Sequence, residues 1–186
     1  MKYKGMKLIH PGQYINRYDI EYEAESGALK TYEIISRNPE LRSLEDLQGS
    51  RPDAVVMILH NITGEKILLN REFRMAVGGW VYNFPAGLID SGEDTAASAA
   101  RELREETGLQ LLEITEIWRE SYSAVGFSNE KTIVVIGTAD GEIRPSDSEM
   151  EEIEAGWFTR EETAALLKTE AFAARTQAYC AMWCRG

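Results

Sequence analysis

Between Gly87 and Leu109 the chain sets four glutamates and an arginine in a fixed relation to two glycines: Gly87, Glu93, Arg101-Glu102, Glu105-Glu106 and Gly108. Carboxylates repeated in this way can hold a hard cation, provided that a helix carries them. Residues 95–107 are rich in helix formers and contain neither glycine nor proline, which predicts an α-helix. Asp94 stands where an N-cap belongs, and Gly108 where a left-handed residue closes the last turn. On that helix Glu102, Glu105 and Glu106 fall at i, i+3 and i+4 and share one face. Ala96, Ala100 and Leu103 fall at i, i+4 and i+7, which predicts a separate apolar stripe for packing on a sheet. Three like charges on one turn repel each other, and a cation such as Mg²⁺, which favours oxygen ligands, relieves that repulsion. Arg101 offsets part of the charge by pairing with Glu93.

The stretch Phe84-Pro85-Ala86-Gly87 ends an apolar run and turns the backbone towards the helix start, so a carbonyl there can add a further oxygen ligand. Upstream, residues 13–24 and 29–37 read as two strands of a hairpin about Glu25-Ser26-Gly27-Ala28. Residues 38–52 form a polar connection with one short helical turn at 43–47. Strands follow at 54–61 and 65–73 around Thr63-Gly64, and again at 114–122 and 131–139 beyond the acidic helix. Thr159 and Glu162 make a capping box that opens a helix, and a last helix is expected over residues 171–184.

With 186 residues and 44% hydrophobic content, the chain suits one domain of ordinary size with a small N-terminal extension. A net charge of −11 argues against a nucleic-acid footprint, which needs a basic face. No run of apolar residues is long enough for a membrane span, and the N-terminus lacks an apolar signal region, so a cytoplasmic protein is expected. Cys180 and Cys184 cannot close a zinc site by themselves, and His10 and His60 are remote in sequence. Buried or half-buried thiols in a reducing compartment are the expected reading.

The acidic pattern, G-x5-E-x7-R-E-U-x-E-E-x-G-U with U apolar, resembles the signature of the Nudix hydrolases, and every fixed position is filled. The resemblance covers roughly residues 54–167. It implies an α/β fold, the Nudix-type α/β/α sandwich with a mixed sheet, here preceded by an N-terminal antiparallel hairpin. The expected division is residues 1–50 as hairpin, connection and dimerisation segment, and 51–186 as the hydrolase domain. The family's reaction is attack of water on a diphosphate bridge with help from Mg²⁺, or Mn²⁺ in its place. Glu102, Glu105, Glu106 and the Ala86 carbonyl match its metal ligands, with Glu105 and Arg101 also in catalytic positions. Gly87, Glu93 and Gly108 match its structural positions.

Two further stretches resemble the ADP-ribose and nucleotide-sugar branch, whose N-terminal strands help form a homodimer and border the substrate site. In the first, residues 71–87, Arg74 matches a phosphate contact, and Trp80 can stack on a base or pack in an interface; Arg51 is a further candidate substrate contact. In the second, residues 121–131, Glu130 matches a glutamate that serves as base or extra metal ligand. Asn83 and Val125 depart from that branch, which usually has glutamate and proline there. The resemblance therefore implies hydrolysis of ADP-ribose or a related nucleoside diphosphate sugar to a nucleoside monophosphate and a sugar phosphate. The alternatives are nucleoside triphosphate sanitation and a non-catalytic sensing module. A homodimer with a small-molecule substrate, and neither nucleic acid nor membrane as partner, is expected.

Overall fold

The computed structural model describes residues 1–49, 51–148 and 150–186. They form two compact units, Met1–Asp53 with Glu120–Thr132, and Ala54–Arg119 with Ile133–Gly186.

In the first unit, β1 (Lys2–His10), β2 (Asn16–Glu23) and β3 (Leu29–Ser36) make an antiparallel sheet in that order. The turn between β2 and β3 lies at the predicted residues. Gly27 adopts φ +81°, a conformation that glycine takes at no steric cost, and its N–H bonds the Ala24 carbonyl at 2.9 Å. Strand alternation puts Tyr18, Ile20 and Ile34 on one face, where they form a small core with Leu41. Strand β1 is absent from the sequence reading. Its lysines and Gly5 give a weak pattern, and only pairing with β2 makes it a strand. The helix α1 (Leu44–Gln48) is closed by a reciprocal pair, in which Asp46 N–H donates to Ser43 Oγ and Ser43 N–H to Asp46 Oδ2.

The second unit is built on β4 (Ala54–His60), β5 (Lys66–Arg74), β6 (Gly79–Asn83), β7 (Ala86–Leu88), α2 (Thr95–Thr107), β8 (Gln110–Tyr122), β9 (Lys131–Asp140), β10 (Ile153–Thr159), α3 (Arg160–Thr169) and α4 (Ala174–Trp183). The ends of β8 and β9 group with the first unit. The strand order is β10-β5-β4-β9-β8, with β6 on β5 and β7 on β4. Strand β4 is buried on both faces, as a central strand covered by helices must be. Val55, Met57 and Leu59 pack with Ala99 and Leu103 of α2, while Val56 and Ile58 pack with Cys180 of α4 and with Leu166 and Leu167 of α3. This is the expected α/β/α sandwich.

Two expectations need correction. The apolar stripe of α2 is not Ala96, Ala100 and Leu103: both alanines are exposed, and Ser98, Ala99, Leu103, Glu106 and Thr107 are buried. Leu103 is buried as expected, but alanine methyls bury too little area to decide which of them join it, and Glu106 turns inward on the same side. Strands β6, β7 and β10 also went unassigned. Two of them are short pieces flanking Phe84-Pro85, and β10 follows an acidic stretch, so their hydrogen-bond partners on β4 and β5 define them. Among the described residues, no helix is long and apolar enough to cross a membrane.

Candidate active site

Asp94 caps α2 by accepting the Ala97 N–H at 2.8 Å, and Gly108 closes it with φ +76°. Between these ends, Arg101 organises the acidic face. Its Nε and Nη2 reach the two oxygens of Glu93, both at 2.9 Å, and its Nη1 reaches Glu102 at 2.8 Å and Glu105 at 3.2 Å. Nη2 also donates to the Leu88 carbonyl at 3.0 Å, tying the helix to the end of β7. These bonds, with one from Ser98 Oγ, hold the Glu93 carboxyl down at a pKa of about 2.

Gly87 runs directly against the carboxyl end of Glu102, and a Cβ there would push that carboxylate aside. Glu106 points inward and is 7% exposed. Its Oε2 accepts hydrogen bonds from Asn70 Nδ2 at 2.8 Å and from the Ala86 N–H at 3.3 Å. Burial, and then the neighbouring charges of Glu72 and Glu102, push its pKa well above the ordinary carboxylate range. Burial likewise raises Glu102, against the pull of Arg101.

Two hollows border these residues. One, of about 270 Å³, is lined by Glu72, Arg74, Ala86, Glu106 and Glu151 among others. The second, of about 300 Å³, is lined by Glu102, Glu105, Glu106, Asp147 and Glu151. Among the described residues, no three acidic, histidine or cysteine side chains already converge as a closed ligand set. Arg101 draws Glu102 and Glu105 to itself instead. The donor set nevertheless fits a hard divalent cation. It is all oxygen, and it holds a buried carboxylate whose charge is opposed from two sides.

The sequence-predicted residues divide between the two units. Ala86, Gly87, Glu93, Arg101, Glu102, Glu105, Glu106 and Gly108 come together as described. Arg74 lines the first hollow, with Nη1 3.4 Å from Glu72. Trp80 is half-buried, with the Arg71 guanidinium 4.4 Å over its ring and Phe73 edge-on at 5.9 Å. Arg51 and Glu130 belong to the N-terminal unit. There Arg51 is exposed, while Glu130 is ion-paired with Arg37 at 3.0 Å.

A family model for the NUDIX domain matches residues 50–180. The chain belongs to the Nudix family. The mouse ADP-sugar pyrophosphatase is 31% identical over 161 residues, a match covering 79% of this chain and 69% of the mouse protein. The yeast ADP-ribose pyrophosphatase from Saccharomyces cerevisiae is 54% identical over 44 residues, which cover 24% of this chain and 19% of the yeast protein. Among solved structures, that of an ADP compounds hydrolase superposes with a TM-score of 0.74 at 19% identity, covering 100% of this chain and 93% of that one, which speaks for the fold.

Beyond the Nudix box, sequence reasoning missed three residues of this site. Asn70 and Glu72 lie on β5, and strand alternation turns both to the face where Glu106 sits. An asparagine and a glutamate two residues apart, directly after the apolar run Ile67-Leu68-Leu69, were the available signal. Glu151 lines both hollows and adds its charge to the environment of Glu102 and Glu106. It stands in the acidic stretch before β10, for which no role is expected from the sequence.

Proposed function

We propose that this chain is a Mg²⁺-dependent pyrophosphohydrolase of ADP-ribose or a related nucleoside diphosphate sugar, with Mn²⁺ able to replace Mg²⁺. The products are a nucleoside monophosphate and a sugar phosphate. The observation that carries this reading is the gathering of Glu102, Glu105, Glu106 and Glu151 about one hollow of the Nudix domain, with Ala86 and Arg74 beside the adjoining one. The names of the mouse and yeast relatives support the substrate class.

Glu102, Glu105, Glu106 and the Ala86 carbonyl are the oxygen donors for the ion. When bound, the ion neutralises the diphosphate oxygens and lowers the pKa of the attacking water. Arg101 and Glu93 keep Glu102 and Glu105 in place, and Gly87 and Gly108 let loop and helix close on them. Arg74 offers a planar fork to a phosphate, with Arg51 and Trp80 as further substrate contacts. Glu130 takes the proton from water as the general base. Glu151 is a second candidate for that role, because it lines the hollow that holds the box glutamates.

The test is a panel of ADP-ribose, GDP-mannose, UDP-sugars and nucleoside triphosphates, assayed with Mg²⁺ for nucleoside monophosphate release. AMP release from ADP-ribose at the highest kcat/KM is the expected result. Preference for triphosphates overturns the substrate assignment, and inactivity on every substrate overturns the enzymatic one.

The protein is proposed to act as a cytoplasmic homodimer through its N-terminal residues, with no nucleic-acid or membrane partner. Ile20 and Ile34 are covered by the unit's own core. Leu8, Ile9, Tyr14, Ile15 and Leu29 remain exposed and support the dimer. Light scattering of the full chain decides it, and a monomer overturns it.

A further inference from the structure

Glu72 is 8% exposed and sits on the β5 face that carries Asn70, the hydrogen-bond partner of Glu106. Its Oε1 accepts a hydrogen bond from Asn83 Nδ2 at 2.9 Å. Its Oε2 is met by Arg74 Nη1 at 3.4 Å, a long contact from an arginine whose side chain is 58% exposed. Asn83 is itself held from the C-terminal helix. Thr176 Oγ1 accepts the Phe84 N–H at 3.3 Å and donates its single proton to Asn83 Oδ1 at 2.8 Å. That proton fixes the amide: the oxygen of Asn83 faces Thr176, so its nitrogen faces Glu72. A carboxylate at position 83 would instead set two anions against each other.

Two buried carboxylates, Glu72 and Glu106, thus border a hollow of about 270 Å³ whose lining also includes the loosely held Arg74. Like charges so desolvated call for a cation in direct contact. The alternation of β5 and the Asn83 bond present Glu72 to that hollow rather than to the core. We propose that Glu72 is a further oxygen ligand for the divalent ion of this site, held at its angle by a relay from Thr176 through Asn83. The proposal rests on the metal-dependent reading above and extends the ligand set from the Nudix box to strand β5, with helix α4 supplying its support.

The test is Mn²⁺ binding to the full chain without nucleotide, followed by the electron paramagnetic resonance signal of the free ion. Glu72→Gln keeps the shape and still accepts from Asn83. It should weaken Mn²⁺ binding about tenfold or more, while melting in chelator is no lower than wild type. Thr176→Val removes the relay and should weaken Mn²⁺ binding about tenfold, the lower end of the range for residues that orient ligands, with Thr176→Ser restoring it. A purely structural role for these side chains would alter the melting without altering Mn²⁺ affinity. Glu106→Gln serves as reference for the box. If Glu72→Gln binds Mn²⁺ like wild type while Glu106→Gln does not, Glu72 is no ligand and the metal-dependent reading stands. If Glu106→Gln also binds like wild type, both fall. Wild-type Mn²⁺ affinity in Thr176→Val overturns the relay.

Discussion

Replacing Glu106 by glutamine should make the metal-free protein more stable and the enzyme nearly inactive. In the absence of an ion, this carboxylate is 7% exposed, accepts two hydrogen bonds and is repelled by Glu72 and Glu102. A glutamine of the same shape keeps an oxygen for Asn70 and Ala86 but carries no charge. Removing a buried, poorly compensated charge is worth on the order of 1–3 kcal/mol. For a chain of this size that is a rise in Tm of roughly 2–12 °C, at about 2–4 °C per kcal/mol. The gain should shrink as pH falls. The raised pKa means that wild-type Glu106 takes up its proton above the ordinary 4.5 and then loses the repulsion too. Saturating Mg²⁺ should reverse the order. An ion at 100 times its Kd stabilises the wild type by about 2.7 kcal/mol, and the variant gains little. Turnover should drop about 10²–10³-fold, as when one electrostatic contact to developing charge is lost. Scanning calorimetry in chelator and in Mg²⁺, beside turnover of ADP-ribose, gives both numbers. A variant that melts below wild type in chelator refutes the charge argument. One that keeps more than about a tenth of the activity, roughly 1.4 kcal/mol, refutes the ligand role.

Further predictions concern the box and the base. Glu93→Gln should lower stability near pH 7, and its deficit should vanish as pH falls from 4.5 towards 2, the interval over which wild-type Glu93 loses the benefit of Arg101 and Ser98; denaturant melts across that range check it. Gly87→Ala should push the flexible carboxyl end of Glu102 aside with little change in melting and lower activity markedly, read by calorimetry and turnover. Glu130→Gln should reduce kcat and kcat/KM together by about 10²–10⁴-fold with KM little changed. Near-normal kcat in that variant, with Glu151→Gln inactive, moves the base to Glu151. In the native protein Cys180, buried with its pKa pushed up to about 12, should resist iodoacetamide at pH 8, and mass spectrometry of alkylated peptides would detect any reaction there.

Whatever depends on neighbours along the chain was legible in the residues. Helix α2 begins and ends where Asp94 and Gly108 say, because a cap acts within one turn of the residues it serves. The turn at Gly27 and the paired caps of α1 and α3 are equally local. The acidic face and its arginine followed from helical spacing alone. What spacing could not decide was which way that helix faces. Alanine is nearly indifferent to burial, so spacing could not choose among the alanines; Leu103 in the core and Glu106 meeting Asn70, 36 positions away, define the buried face. The same holds for β1, β6, β7 and β10, whose own patterns are weak and whose hydrogen-bond partners lie elsewhere. Spacing left Trp80 open between stacking on a base and packing, and its contacts with Arg71 and Phe73 come only from the fold. Glu72 and Glu151 joined the site only through contacts of the folded chain, and Asn83 acquired its orientation from Thr176, 93 positions later. Short-range steric and hydrogen-bonding preferences therefore laid out the acidic face from sequence. The buried polar groups around it were fixed by tertiary structure, because a desolvated polar atom must find its partner wherever packing supplies one.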